Sequence, residues 1–119
     1  MIYTSYFANL RNIDSSIVPI AICQYPPQYW KGLVYKRVAP TYEIMSLAKS
    51  GKVEMFKDEY EEFILTMDID YIVEELYDMA DSDDIVLVCF EKTGDVCHRH
   101  VLADILRMNG YPVKEWDVE

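Results

Sequence analysis

The fold is decided by the apolar run Ile85-Val-Leu-Val-Cys-Phe90. A continuous run of this kind, rich in valine, is typical of a strand whose two faces are both covered, as in a parallel sheet. A polar loop follows, and the cluster Cys97-His-Arg-His100 then opens an amphipathic segment that ends at Asn109-Gly110. The stretch therefore predicts a buried parallel strand, a loop and a helix.

The rest of the chain extends this pattern on both sides. Short apolar or alternating runs predict strands at residues 2–8, 18–25 and 111–116, and the polar stretch 9–16 predicts a loop. A short helix is predicted over residues 41–49 with Thr41 as its N-cap, and two apolar stripes at helical spacing predict two helices between residues 55 and 80. This order predicts a single α/β domain over residues 1–119, a small three-layer sandwich with a largely parallel sheet.

Charge limits the partners that the protein can have. The 119 residues include 21 acidic and 11 basic side chains, which gives a net charge of -10. Such a surface repels phosphate backbones, so general binding to duplex nucleic acid is disfavoured. The segment 26–40 is the most basic and aromatic part of the chain, and a small nucleotide in a locally basic pocket is compatible with it.

The cysteines and the N-terminus indicate a cellular compartment. Cys23, Cys89 and Cys97 cannot all pair within one chain, and the first residues lack the basic segment of a signal peptide. No apolar run reaches the roughly 18 residues needed to span a membrane. We therefore expect a cytoplasmic protein without membrane association.

The junction between the predicted strand and helix holds the candidate functional groups. If the helix begins near Cys97, its free N–H groups and dipole favour an anion, and the guanidinium of Arg99 matches phosphate or carboxylate. The same field would stabilise a Cys97 thiolate. His98, His100 and Glu91 are close enough in sequence to supply a proton donor or base. The site is thus expected to bind an anion, to use Cys97 as a nucleophile, or to do both.

The same junction also holds side chains that could bind a metal. Cys89, Cys97, His98 and His100 are four metal-ligand side chains within twelve residues. Their spacing is not that of a zinc finger, and adjacent Cys97 and His98 would point in different directions on a helix. We therefore expect no metal and no cofactor, and we expect Cys89 to be a packing residue of the strand.

The two motifs of this region resemble those of the domain of unknown function 488 (DUF488) family. Members carry a strand ending in Cys-x-Glu, then Cys-His-Arg, then a helix ending in glycine before a last strand. Here residues 89–91 and 97–99 match these motifs, and residues 3–9, 20–27, 38–41 and 59–60 are similar to earlier elements of the family. The resemblance covers most of the chain.

The resemblance implies an α/β fold but no settled activity. Some members are associated by name with DNA-repair glycosylases, which hints at nucleotide or nucleic-acid chemistry. The resemblance marks Cys89, Glu91, Cys97, His98 and Arg99 as motif positions and assigns a role to none of them.

The favoured hypothesis is binding of a nucleotide or other small anionic ligand at residues 89–100. One alternative is a small hydrolase or transferase that uses Cys97, or Glu91 with a water molecule, at the chemical step, with His98 as a further catalytic candidate. A second alternative is an acidic interaction or inhibitor module in which the motifs are structural. The ligand-binding residues expected from the favoured hypothesis are Glu91, Cys97, His98, Arg99, Tyr25, Trp30 and Arg37.

Overall fold

The computed structural model describes residues 1–90 and 97–116, which contain a five-stranded sheet. The strands are β1 (Ile2–Tyr6), β2 (Val18–Ala21), β3 (Leu33–Val34), β4 (Ile85–Cys89) and β5 (Val113–Glu115). They lie in the order β3-β2-β4-β1-β5, and every pairing is parallel. The predicted small α/β fold with a parallel sheet is confirmed.

Helices cover one face of this sheet. They are α1 (Tyr42–Lys49), α2 (Val53–Leu65), α3 (Ile69–Ala80) and α4 (His98–Met108). The other face is covered by a 3₁₀ helix, Phe7–Asn12, together with the side chains of Trp30 and Trp116. The sheet is therefore the middle layer of the molecule. None of the helices in the described ranges is long and apolar enough to cross a membrane.

The central strand β4 has the double burial that its sequence predicts. It pairs with β1 on one side and β2 on the other, and all five of its residues are buried. Ile85, Leu87 and Cys89 belong to the core on the helical face, whereas Val86 and Val88 belong to the core on the opposite face. Period-two alternation thus supplies apolar side chains to both cores.

Side-chain caps fix where two of the helices begin. The Thr41 hydroxyl accepts a hydrogen bond from the N–H of Ile44 at 3.2 Å, which confirms the predicted N-cap of α1. The Asp68 carboxylate accepts one from the N–H of Tyr71 at 3.1 Å and begins α3. Each cap satisfies one backbone N–H group in the first turn of its helix.

The structure differs from the sequence prediction at several element boundaries: the first predicted strand ends at Tyr6 and the last spans only Val113–Glu115. Part of the expected loop 9–16 belongs to the 3₁₀ helix, because the buried Asn9 amide donates hydrogen bonds to Ser5 Oγ (3.0 Å) and to the Trp116 carbonyl (2.8 Å). Strand β2 ends at Ala21 rather than Tyr25, since its pairing with the unpredicted β3 ends there. The residues that follow Ala21 therefore belong to a connecting segment, and this segment forms part of the candidate site.

Candidate functional site

Strands β2 and β4 are neighbours whose outgoing connections diverge. The chain leaving β2 crosses the face that carries Trp30 and reaches β3 at one side of the sheet. The chain leaving β4 leads to α4 on the helical face and then to β5 on the far side of β1. In open α/β sheets, ligands bind in the crevice outside the carboxyl ends of two such strands.

A cavity of about 600 Å³ lies at this divergence. Its walls come from the segment after β2, from α1 together with Pro40 before the N-cap of that helix, and from the end of β4 with the start of α4. Tyr25 and Tyr42 are 83% and 80% exposed, and Lys49 supplies a cation. No described residue of the lining is acidic, in contrast to the chain as a whole. The lining residues are Cys23, Gln24, Tyr25, Pro40, Tyr42, Met45, Lys49, Cys89, Phe90 and His98.

His98 is held in one orientation beside the cavity. Its Nε2 lies 2.6 Å from the Ile22 carbonyl oxygen, and its ring meets Tyr60 edge to face at 5.4 Å. Because a carbonyl only accepts, Nε2 carries the proton and Nδ1 keeps its lone pair. Burial lowers the pKa of His98 to about 4, although the hydrogen bond to Ile22 acts in the opposite direction. The imidazole is therefore neutral at pH 7.

Cys97 and Cys89 place their sulfur atoms beside that imidazole. Cys97 precedes α4 with an extended backbone (φ -151°, ψ 142°), and its Sγ lies 3.8 Å from His98 Nδ1. The sulfur atoms of Cys97 and Cys89 are in direct contact, as in a disulfide bond. The expectation that Cys97 and His98 point in different directions is wrong, because Cys97 lies just before the helix. Cys89 is fully buried, as expected of a packing residue.

Arg99 lies behind this group. Its side chain is 0% exposed, and it donates to both carboxylate oxygens of Glu115, from Nε at 3.2 Å and from Nη2 at 2.8 Å. Nη1 lies 3.0 Å from Cys89 Sγ, and the guanidinium is 5.7 Å from the centre of the Tyr6 ring. Thr4 donates a further hydrogen bond to Glu115 at 2.6 Å. Arg99 therefore supports the cysteine and histidine cluster from the core.

Trp30 and Arg37, both predicted to contact the ligand, lie elsewhere. Trp30 packs edge to face against Phe7 on the opposite face of the sheet, with ring centres 5.2 Å apart. Arg37 pairs with Glu75 at 3.2 Å on α3 and lies over the Tyr71 ring. Glu75 adjoins a second cavity, of about 420 Å³, whose lining includes three carboxylates and therefore does not suit an anion.

The remaining predicted residues that the structure describes lie at the cavity or beside it, except Arg99, which lies behind it in the ion pair with Glu115. Tyr25 and His98 line the cavity, Cys97 lies beside His98, and Glu91 is outside the described residues. The sequence interpretation missed three residues of α1, namely Tyr42, Met45 and Lys49. Their spacing of i, i+3 and i+7 places them on one helix face, and this periodicity is the signal that could have identified them.

Comparison with known proteins identifies the family of this chain. The family model DUF488-N3a, described as the active DUF488-N3 subclade, matches residues 9–110. No curated protein and no solved structure matches the chain. Because the family model spans most of the sequence, this chain belongs to the DUF488 family.

Proposed function

We propose that this protein binds a nucleotide, or another small molecule that joins a flat ring to a negative charge, in the 600 Å³ cavity between the ends of β2 and β4. The observation that carries the proposal is the lining itself. Exposed rings of Tyr25 and Tyr42 offer surfaces for stacking a base, and Lys49 offers a charge for a phosphate. A lining without described carboxylates is notable in a chain of net charge -10.

Size and local charge support the same ligand class. Small-molecule sites usually enclose about 300–1,000 Å³, and this cavity falls within that range. The Lys36 ammonium lies 5.7 Å from the centre of the Tyr25 ring, which adds positive charge beside the stacking surface. His98, the first residue of α4, lines the cavity, so the positive end of the helix dipole lies near a bound anion.

Replacing Lys49 with glutamine is expected to weaken ligand binding about tenfold or more, because one charge-assisted contact contributes about 1.5–3 kcal/mol. The measurement is isothermal titration calorimetry of the wild-type protein and the variant with mononucleotides, cyclic dinucleotides and ADP-ribose derivatives. A ligand that binds the wild-type protein should show reduced affinity for Lys49→Gln.

Lys57→Gln is the matched control, because Lys57 is exposed on α2 and does not line the cavity. Its affinity should equal that of the wild-type protein. The proposal fails if the folded wild-type protein binds no member of the panel, or if both lysine variants lose affinity equally.

A second candidate function, a hydrolase or transferase that uses Cys97, is favoured by the distance of 3.8 Å between Cys97 Sγ and His98 Nδ1. A neutral imidazole oriented by a carbonyl can accept the thiol proton at Nδ1 and leave a nucleophilic thiolate. The description of the matching family model as active agrees with this alternative. Glu91, the other expected catalytic group, is outside the described residues.

The nucleophile hypothesis predicts that Cys97 of the reduced, metal-free protein reacts with iodoacetamide faster than free cysteine at neutral pH. Mass spectrometry of digested protein, sampled over time, gives the alkylation rate of each cysteine separately. Cys23, which is also buried, serves as the internal control. A Cys97 rate equal to or below that of free cysteine would argue against the nucleophile.

A further inference from the structure

We propose that the reduced protein binds a Zn²⁺ ion through the thiolates of Cys89 and Cys97 and the Nδ1 atom of His98. These ligand atoms lie within 4.8 Å of one another, and the three residues are buried. Two cysteines and one histidine form a recognised catalytic zinc set, in which the fourth position is left to water or substrate. The proposal goes beyond ligand binding and holds whether or not a nucleotide occupies the cavity.

The hydrogen bonds around the three ligands resemble those found around the ligands of zinc sites. A metal-bound histidine usually donates its other ring N–H to a carbonyl or carboxylate, and His98 Nε2 lies 2.6 Å from the Ile22 carbonyl oxygen. That bond fixes the tautomer in which Nδ1 can bind a metal. Cys89 Sγ accepts from Arg99 Nη1 at 3.0 Å, a contact that stabilises a thiolate. The hydrogen bonds that would orient His98 and stabilise the Cys89 thiolate are therefore already formed.

Charge in the buried region also favours the ion. A zinc ion and two thiolates sum to zero, and the adjacent Arg99–Glu115 pair is neutral as well. Buried charges are tolerated when they are paired or bound to a metal, so this arrangement avoids an uncompensated thiolate in the core. The two thiol protons displaced by the metal leave to solvent.

The backbone spacing of the two cysteines is wide enough for a bridging ion. Their Cα atoms are 7.6 Å apart, whereas disulfides usually join Cα atoms about 4.4–6.8 Å apart. A zinc ion is held by Zn–S bonds of about 2.3 Å, so the two sulfur atoms separate when the ion enters between them. The disulfide and the metal site are thus alternative states of the same pair: a thiol reductant must supply two electrons and two protons to convert the disulfide into two thiols before the ion can bind.

Two of the proposed ligands, Cys89 and His98, line the 600 Å³ cavity. The fourth coordination position of the ion can therefore face the cavity rather than another protein ligand. An open position of this kind lets zinc bind and polarise an oxygen atom of a bound molecule or activate a water molecule. A zinc ion bound there would supply a Lewis acid to the same cavity that Tyr25 and Tyr42 line.

The test is titration of the reduced full-length protein with Zn²⁺ and Co²⁺ under anaerobic conditions. We expect one metal ion per chain, a higher Tm with Zn²⁺, and the tetrahedral d–d and sulfur-to-cobalt charge-transfer bands with Co²⁺. Cys97→Ser should lose affinity by more than the roughly 10–100-fold that removal of an outer hydrogen bond costs. Cys23→Ser is the matched control and should retain metal binding, because Cys23 lines the cavity but does not belong to the group whose ligand atoms lie within 4.8 Å of one another.

The cobalt spectrum of the wild-type protein keeps the proposal testable if Cys97→Ser does not fold. A tetrahedral spectrum with sulfur charge transfer then supports the site. The proposal is overturned if the reduced wild-type protein gives no Tm shift and no such spectrum. Metal affinity that is unchanged in a folded Cys97→Ser variant overturns it as well.

Discussion

Replacing Arg99 with alanine is expected to lower the free energy of unfolding by about 3–5 kcal/mol, the usual cost of removing one partner of a buried ion pair. The side chain is fully buried and holds both oxygens of Glu115 and the sulfur atom of Cys89. Its loss removes the ion pair with the Glu115 carboxylate, which is only 17% exposed, and opens a large void. Chemical denaturation followed by circular dichroism measures the change.

Arg107→Ala is the control for this variant, because it removes an arginine from the same helix. Arg107 is 45% exposed and pairs with Asp104 at the surface, and its Nε donates to the Val113 carbonyl. Exposed pairs contribute about 0–1 kcal/mol, so the loss should be much smaller than that for Arg99. Similar losses for the two variants would contradict the structural role assigned to Arg99.

The second large effect is expected at the centre of the sheet, where Leu87→Ala should lower the free energy of unfolding by about 2–5 kcal/mol. Leu87 is 0% exposed, lies in β4 between Thr4 of β1 and Ile20 of β2, and packs into the core on the helical face. Neighbours fixed in two strands cannot close the void easily, so the cost should lie in the upper part of this range.

The same substitution at an exposed leucine provides the comparison for Leu87. Leu65 is the last residue of α2 and is 56% exposed, so Leu65→Ala should change the free energy of unfolding by only about 0.5 kcal/mol. Equal effects at the two positions, measured by the same denaturation experiment, would mean that β4 is not the centre of the core.

The parts of the fold that were predicted correctly depend on local patterns. The apolar run of β4 and the helical stripe after Cys97 are each continuous in sequence, and the Thr41 cap acts on a residue three positions away. The missed strand β3 has only two residues, which is too short for any periodicity. It is a strand because Ala21 and Ile20 of β2 pair with it.

The candidate site was predicted less completely, because its contacts are long-range. The sequence identified Cys97, His98 and Arg99, but the partner of Arg99 is Glu115, in a strand on the far side of β1. A guanidinium exposed to a ligand and one buried in an ion pair look alike in sequence. The same limit explains the error at Trp30. This residue is close in sequence to the segment that lines the cavity, but its ring packs on the opposite face of the sheet.

The two outermost strands have a consequence for association. β3 has two residues and β5 has three, so the sheet ends on each side in a very short stretch of backbone. Long exposed edges recruit strands from other molecules and start aggregation, and short edge strands are one way in which proteins avoid this. Within residues 1–90 and 97–116, the sheet therefore offers little template for strand addition, which disfavours self-association through these two edges.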